Sequence, residues 1–429
     1  MFNRFRSMPA TAMVAVLGCA LMTTATPAAA REKPKKEEAG KGTTIAVSKG
    51  FAPAAKKMGT AVGDKDAAAL QAAIGEGETS ASTNEDRYWL AFYKLQLGIL
   101  NKDQALQAQG LDTMLDSGLT PAEQAGIYNF FSGRFAYSAK DYAKAIQRLE
   151  AAKAAGSTES GLNVILMDSY LNAGQVDQGW TIAKAEIEAH RAAGHVPPED
   201  LYVRPAQAFQ KANRTEDLLD ALTMRVQDHP NPAIWRNTLY ILLQQAGGNK
   251  DMNLDILRLM RAAGAMTERP EYSEYASLAT EAGFPGEVVA VVRSGQSAGV
   301  IPRNDQFFGN ILESQGPRAQ SDAAALAADA TKPATLANPK TARATADALV
   351  GNGDYAKAIP LYEAALNAGA DPLTQYRLGV AQALAGRSDA AVATLSKVQG
   401  NRARLAQLWS IHAKTKAATS VAAAPATGS

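Results

Sequence analysis

Near its C-terminal end the 429-residue chain says one thing twice. Gly353-Asp354-Tyr355-Ala356-Lys357-Ala358-Ile359 opens a helical pattern that continues as Leu361-Tyr362-Glu363-Ala364-Ala365-Leu366. Tyr376-Arg377-Leu378-Gly379 begins a second helix, and Gly386-Arg387-Ser388-Asp389-Ala390-Ala391-Val392 opens the one after it. Ala358 and Ala391 hold the same place, 33 residues apart. A period near 34 residues belongs to helix-turn-helix units that cannot bury an apolar stripe alone and must stack on their neighbours. The small residues follow from packing: alanine where helices cross, with Gly379 facing it, lets the backbones approach while Leu378, Leu395 and Tyr362 fill the surroundings. The fold class this predicts is all-α, an α-α superhelix of stacked hairpins.

The register runs backwards from there. Asp141-Tyr142-Ala143-Lys144-Ala145-Ile146 nearly duplicates Asp354 to Ile359, with Gly133 twelve residues before Ala145. Equivalent marks follow at Gly179, Leu218, Leu254, Val288, Ala323, Ala358 and Ala391, which predicts one continuous array. Upstream, helices are expected over Pro53–Met58 and Lys65–Ile74, with a loop of small polar residues from Gly75 to Asn84. Asp86–Leu100 is an aromatic-rich helix carrying Tyr88, Trp89, Phe92 and Tyr93, and Asp103–Leu115 is its partner. Thr120-Pro121-Ala122-Glu123 has the composition of a capping box, with Thr as N-cap.

Residues 1–30 have the layout of a secretory signal: Arg4 and Arg6, an apolar core from Ala12 to Met22, and Ala28-Ala29-Ala30 at the cleavage point. The core is too short to span a bilayer. This places the chain in the periplasm. The rival reading takes Val16-Leu17-Gly18-Cys19 as a lipoprotein box, with a lipid anchor on Cys19 and an outer-membrane location. Cys19 is the only cysteine, so a chain cleaved after Ala30 has no disulfide and no thiolate metal site. Cleavage also removes two of the 44 basic residues, leaving 42 to set against 42 acidic ones. No basic field remains to hold a phosphate backbone, so nucleic acid is not expected as a partner. The domain reading is a signal peptide at 1–30, a charged disordered linker at 31–50, an N-terminal helical region of divergent repeats at 51–120, a solenoid at 121–400, a capping helix at 401–416 and a disordered tail at 417–429.

No catalytic constellation stands out. His190 and His195 straddle Gly194 and do not share a helix face. There is no Gly-x-Ser-x-Gly elbow, no phosphate loop and no dinucleotide fingerprint. Glu186 and Glu188, like Glu37 and Glu38, read as solvated surface. The aromatics Tyr88, Trp89, Phe92, Tyr93, Phe130, Phe131, Phe135 and Tyr137 sit at the spacing of a core stripe. No catalytic residue, cofactor or metal site is assigned, and the chain is read as a non-enzyme.

Ala122–Gly194 and Thr341–Val398 resemble tetratricopeptide (TPR) repeats, and the rest of Asp86–Ala413 is compatible with divergent ones. With its leader, the chain resembles an exported TPR protein of a Gram-negative bacterium. The first-helix tyrosine of the pattern is replaced by Ala136, Leu349 and Gln382. The resemblance implies a concave groove, lined by first helices, that holds a protein or peptide partner in a cell-envelope complex. Carried over by position, that groove would present Phe130, Arg134 and Tyr137, then Asp168 and Asn172, then Gln207, Gln210 and Lys211, and finally Arg343, Asp347 and Tyr376. The alternatives are a helical envelope enzyme acting on peptidoglycan or glycan, recognisable by a pocket carboxylate of raised pKa, and an outer-membrane lipoprotein that serves in assembly.

Overall fold

The computed structural model describes residues 45–369 and 371–423. The leader, Cys19, linker residues 31–44 and tail residues 424–429 lie outside the described residues. All regular structure within them is helical. The helices are α1 (Ala52–Gly63), α2 (Ala67–Ser80), α3 (Asn84–Leu100), α4 (Gln104–Asp116), α5 (Ala122–Ser138), α6 (Tyr142–Ala154), α7 (Leu162–Asn172), α8 (Val176–Ala192), α9 (Asp200–Lys211), α10 (Thr215–Asp228), α11 (Pro232–Ala246), α12 (Lys250–Ala262), α13 (Arg269–Glu281), α14 (Pro285–Ser297), α15 (Gln306–Asp329), α16 (Pro333–Ala337), α17 (Pro339–Gly351), α18 (Tyr355–Asn367), α19 (Pro372–Leu384), α20 (Ser388–Leu395) and α21 (Ala403–Ala423). None is long and apolar enough to cross a membrane. The chain divides inside α8 into two compact units, one ending at Glu186 and the other starting at Ile187.

The hairpins close by a shared local device. In Asp64-Lys65-Asp66, Asn101-Lys102-Asp103 and Ala139-Lys140-Asp141 the middle lysine is left-handed, with φ of 56°, 56° and 63°. Such backbone costs a residue with a Cβ roughly 1–3 kcal/mol. The aspartate that follows recovers part of that cost. Asp66 accepts from the amides of Ala68 and Ala69, Asp103 from those of Ala105 and Leu106, and Asp141 from that of Lys144. One reversal residue and one N-cap thus turn each helix back on its partner.

In the first unit α1 packs on α2, α3 on α4 and α5 on α6, and each pair leans on the next. Gly133 in α5 sits against α6, where a Cβ would lie 2.6 Å from the Leu149 side chain. The loop expected over Gly75–Asn84 is helix as far as Ser80. Buried Gly77 lets α2 close on Leu90, Met58 and Phe51, so tertiary contact overrides its weak propensity. Nor does a capping box form at Thr120. The helix starts after Pro121, and the Thr120 hydroxyl donates instead to the Met114 carbonyl. A complete box appears at α3, where Thr83 and Asp86 satisfy each other's backbone amides.

In the second unit α9 pairs with α10, α11 with α12, α13 with α14, α17 with α18 and α19 with α20. The mark at Ala323 is the exception. Ala323 is exposed in the C-terminal half of the single 24-residue helix α15, so it marks no buried crossing, and α14 packs on α17. The segment 401–416, expected as the capping helix that closes the last unit, also contributes one face to the core. Leu405, Ala406, Leu408 and Trp409 are at most 1% exposed, and α21 touches α19 and α20 on one side and α10 on the other. Taken by itself, the second unit closes on itself. Its largest apolar cluster runs from Leu219 through Trp235, Leu259 and Tyr376 to Trp409.

Candidate functional site

In the first unit, α5 and α7 bring together five of the residues placed in the groove. Phe130 is 2% exposed and belongs to the core. The Arg134 guanidinium lies over the Phe131 ring at 5.4 Å and the Phe130 ring at 5.9 Å, a cation–π arrangement. Arg134 is half-buried, and no carboxylate among the described residues pairs with it at ion-pair distance. Burial holds its pKa below the ordinary arginine value, with Glu159 pulling the other way. One turn on, the Tyr137 hydroxyl donates to the Asp168 carboxylate, and Asn172 donates to the Asp168 carbonyl at 2.7 Å. Asp168 is 9% exposed, so its role is to fix Tyr137 and the α5–α7 crossing.

The remaining groove residues belong to the second unit, and the structure scatters them. Gln207, Gln210 and Lys211 are exposed on α9. Arg343 is ion-paired with Asp371. Asp347 accepts from the Tyr362 hydroxyl at 2.6 Å and pairs with Arg377 at 3.3 Å. Tyr376 is 1% exposed and accepts from the Trp409 indole at 3.1 Å, so it presents no surface to a partner.

Asp347 and Tyr376 border a buried ionic hub that was not anticipated. Asp255 on α12 is fully buried and takes three arginines: Arg258 at 2.9 Å, Arg402 at 2.9 Å and Arg377 at 3.4 Å. Arg258 also grips Glu287 of α14 through two bonds of 2.8 and 2.7 Å, and the Tyr275 hydroxyl donates to the same carboxylate at 2.7 Å. Burial alone would push the carboxyl of Asp255 up, but Arg377, Arg258 and Arg402 more than offset it and hold its pKa below the ordinary value. Glu287 is held down likewise, burial opposed by Arg258 and the Tyr275 hydroxyl. Asp255-Ile256-Leu257-Arg258 carries the one clue in the sequence: two charges three apart inside the otherwise apolar run Leu254–Met260. The third carboxylate neighbour, Arg402, is 147 residues away in the chain and leaves no local trace.

On α21 His412 stands edge-on to two indoles, its ring 6.1 Å from Trp235 and 5.6 Å from Trp409. Burial, with a smaller push from Lys416, brings its pKa down to about 4 from 6.5. The folded state therefore excludes a proton that the unfolded chain accepts. The stability this contributes is complete above pH 6.5 and is lost as pH falls toward 4. The second unit is expected to lose about 2 kcal/mol between pH 7 and pH 5 from this group. Denaturant titrations of the chain and of His412→Gln check it: an equal slope in both would remove His412 as the cause.

Hollows open in this unit, two of them beside the residues just described. The larger, about 630 Å³, lies between α11, α12 and the start of α21, lined by Gln245, Asn249, Met252, Asn401, Arg404 and Gln407 among others. The smaller, about 200 Å³, lies beside the ionic hub.

The all-α stacking of helix hairpins defines a helical-repeat protein. No protein-family model matches the chain, and no curated protein does. Among solved structures it is similar to the pentatricopeptide repeat protein PPR10 from maize, at 15% identity over 86% of this chain and 63% of that one, with a TM-score of 0.27. It is also similar to a chain of Naa15/Naa10 bound to HypK-THB, at 12% identity, 83% and 70% coverage and a TM-score of 0.24. The chain thus spans less than two thirds of the length of the maize protein. These likenesses are of helix stacking alone.

Proposed function

We propose that this chain is an exported, non-catalytic scaffold of the TPR kind that binds a polypeptide partner in the periplasm of a Gram-negative bacterium, within a cell-envelope complex. The observation that carries the reading is Arg134. A half-buried guanidinium on an aromatic bed, with no carboxylate at ion-pair distance among the described residues, suits an interface anchor, since arginine and aromatic residues dominate binding hot spots. Its partner would bring a carboxylate. The balance of 42 basic and 42 acidic residues after leader removal supports protein over nucleic acid as that partner. The direction of the carboxylate shifts supports binding over hydrolysis. Asp86, Asp255, Glu287, Asp305 and Asp371 are all displaced downward, which suits ion-pair anchors and hydrogen-bond acceptors, whereas a general acid needs a raised value.

Affinity capture from periplasmic and membrane fractions, read by mass spectrometry, tests this with Arg134→Glu. Charge reversal is expected to lower recovery of the principal partner at least tenfold with helical circular dichroism unchanged. Asp168 is unsuited to the same test because its loss would release Tyr137. Full recovery by Arg134→Glu would reject α5 as the binding face.

A further inference from the structure

The 200 Å³ hollow gathers residues from six helices: Arg258, Arg261 and Ala262 of α12, Tyr275 of α13, Glu287 of α14, Val350 and Gly351 of α17, Tyr355 of α18 and Leu384 of α19. We infer that it is a binding site for a small aliphatic monocarboxylate, a second activity separate from polypeptide binding on the first unit.

The walls specify such a ligand. Arg258, Tyr275, Glu287 and Gly351 are buried and form the floor, while Arg261, Ala262, Val350, Tyr355 and Leu384 are half-buried and form the rim. On the floor, the Glu287 carboxylate is saturated by two bonds from Arg258 and one from Tyr275, so that pair contributes no net charge. Arg261 on the rim has no carboxylate at ion-pair distance among the described residues, and the Tyr355 hydroxyl has no hydrogen-bond partner among them. One positive charge and one hydroxyl donor are left over. A single carboxylate satisfies both. A dianion would bring a second negative charge that the single Arg261 cation leaves unpaired.

The other rim residues, Ala262, Val350 and Leu384, are aliphatic and gain nothing from a bare ion. They suit a short hydrocarbon body attached to the carboxylate. The volume equals about six or seven waters at roughly 30 Å³ each, below the range of drug-sized pockets, so a branched acid of five or six carbons fits and a long-chain fatty acid does not.

Calorimetric titration of the full chain with 4-methylpentanoate tests the assignment. One-to-one saturable binding is expected, with 4-methylpentanamide at least tenfold weaker and inorganic phosphate at least tenfold weaker. The amide isolates the charge and phosphate isolates the apolar body, and neither comparison needs a variant. Arg261→Gln is expected to weaken the acid at least tenfold at an unchanged melting temperature, and Tyr355→Phe by about threefold. No binding of the acid, equal binding of the amide or of phosphate, or full affinity in Arg261→Gln would each overturn the proposal.

Discussion

Replacing Asp255 by asparagine should destabilise the second unit by about 3–5 kcal/mol, the usual result of removing one partner from a buried charge cluster. Three guanidinium groups converge on this carboxylate, from α12, from α19 and from Arg402 just before α21. Asparagine fits the space but leaves the three cations without their shared counter-charge around a fully buried position. The effect has a pH signature. Asp255 and Glu287 have folded pKa values held below their ordinary 3.8 and 4.5. Their contribution is therefore complete above about pH 4.5 and is lost as pH falls through the depressed values. Denaturant unfolding at pH 7 and pH 3 should show the gap between Asp255→Asn and the parent narrowing in acid. A difference under 1 kcal/mol at pH 7 would mean the arginines find other acceptors. A fully apolar replacement of the hub could match the parent in stability. What the charges add is register: only one alignment of α12, α14, α19 and the approach to α21 pairs them all.

Trp409→Ala is expected to cost a similar amount, about 3–5 kcal/mol, through loss of buried aromatic surface and the cavity left behind. Trp409 is fully buried, donates its indole N–H to Tyr376 and packs against His412. It is the point where the last helix of the second unit meets the apolar cluster that begins at Leu219. Loss of the indole should loosen that closure before it melts individual hairpins. Hydrogen exchange would then rise in α10–α12 and α21 more than in α17 and α18. Opening the site to water should also return the His412 pKa toward 6.5 and flatten the slope between pH 7 and pH 5. Uniform exchange across the unit, with the pH slope retained, would show that α21 is not what closes it.

The hairpins were legible because their causes are local. Recurrence at Ala145, Gly179, Ala358 and Ala391 marks helix crossings, and each of these small residues is enclosed in the fold; at Gly179 an added Cβ would strike Leu171. The aromatic stripe of α3 behaves as core for the same reason, with Tyr88 and Tyr93 at 3% and 2% exposure. Spacing without motif residues was a weaker guide. At Ala323 the count of residues was right for a crossing, but Asp305 caps a single helix that runs through Gly316 and Pro317 to Asp329. Of the residues placed in the groove, Arg134 and Tyr137 lie one turn apart on α5, whereas Phe130, Asp347 and Tyr376 are turned inward, because position in a repeat does not say which side chains the neighbouring helices cover.

Sequence by itself determined the helical hairpin, because a reversal residue, an N-cap and a crossing alanine or glycine act within some 34 residues of one another. Only the tertiary structure decided that the second unit closes, that Asp255 meets Arg377 and Arg402, and that Arg261 and Tyr355 share a rim. Those pairings join residues about 90 to 150 positions apart, and a periodic pattern fixes each unit against its neighbour while saying nothing of where the last one comes to rest.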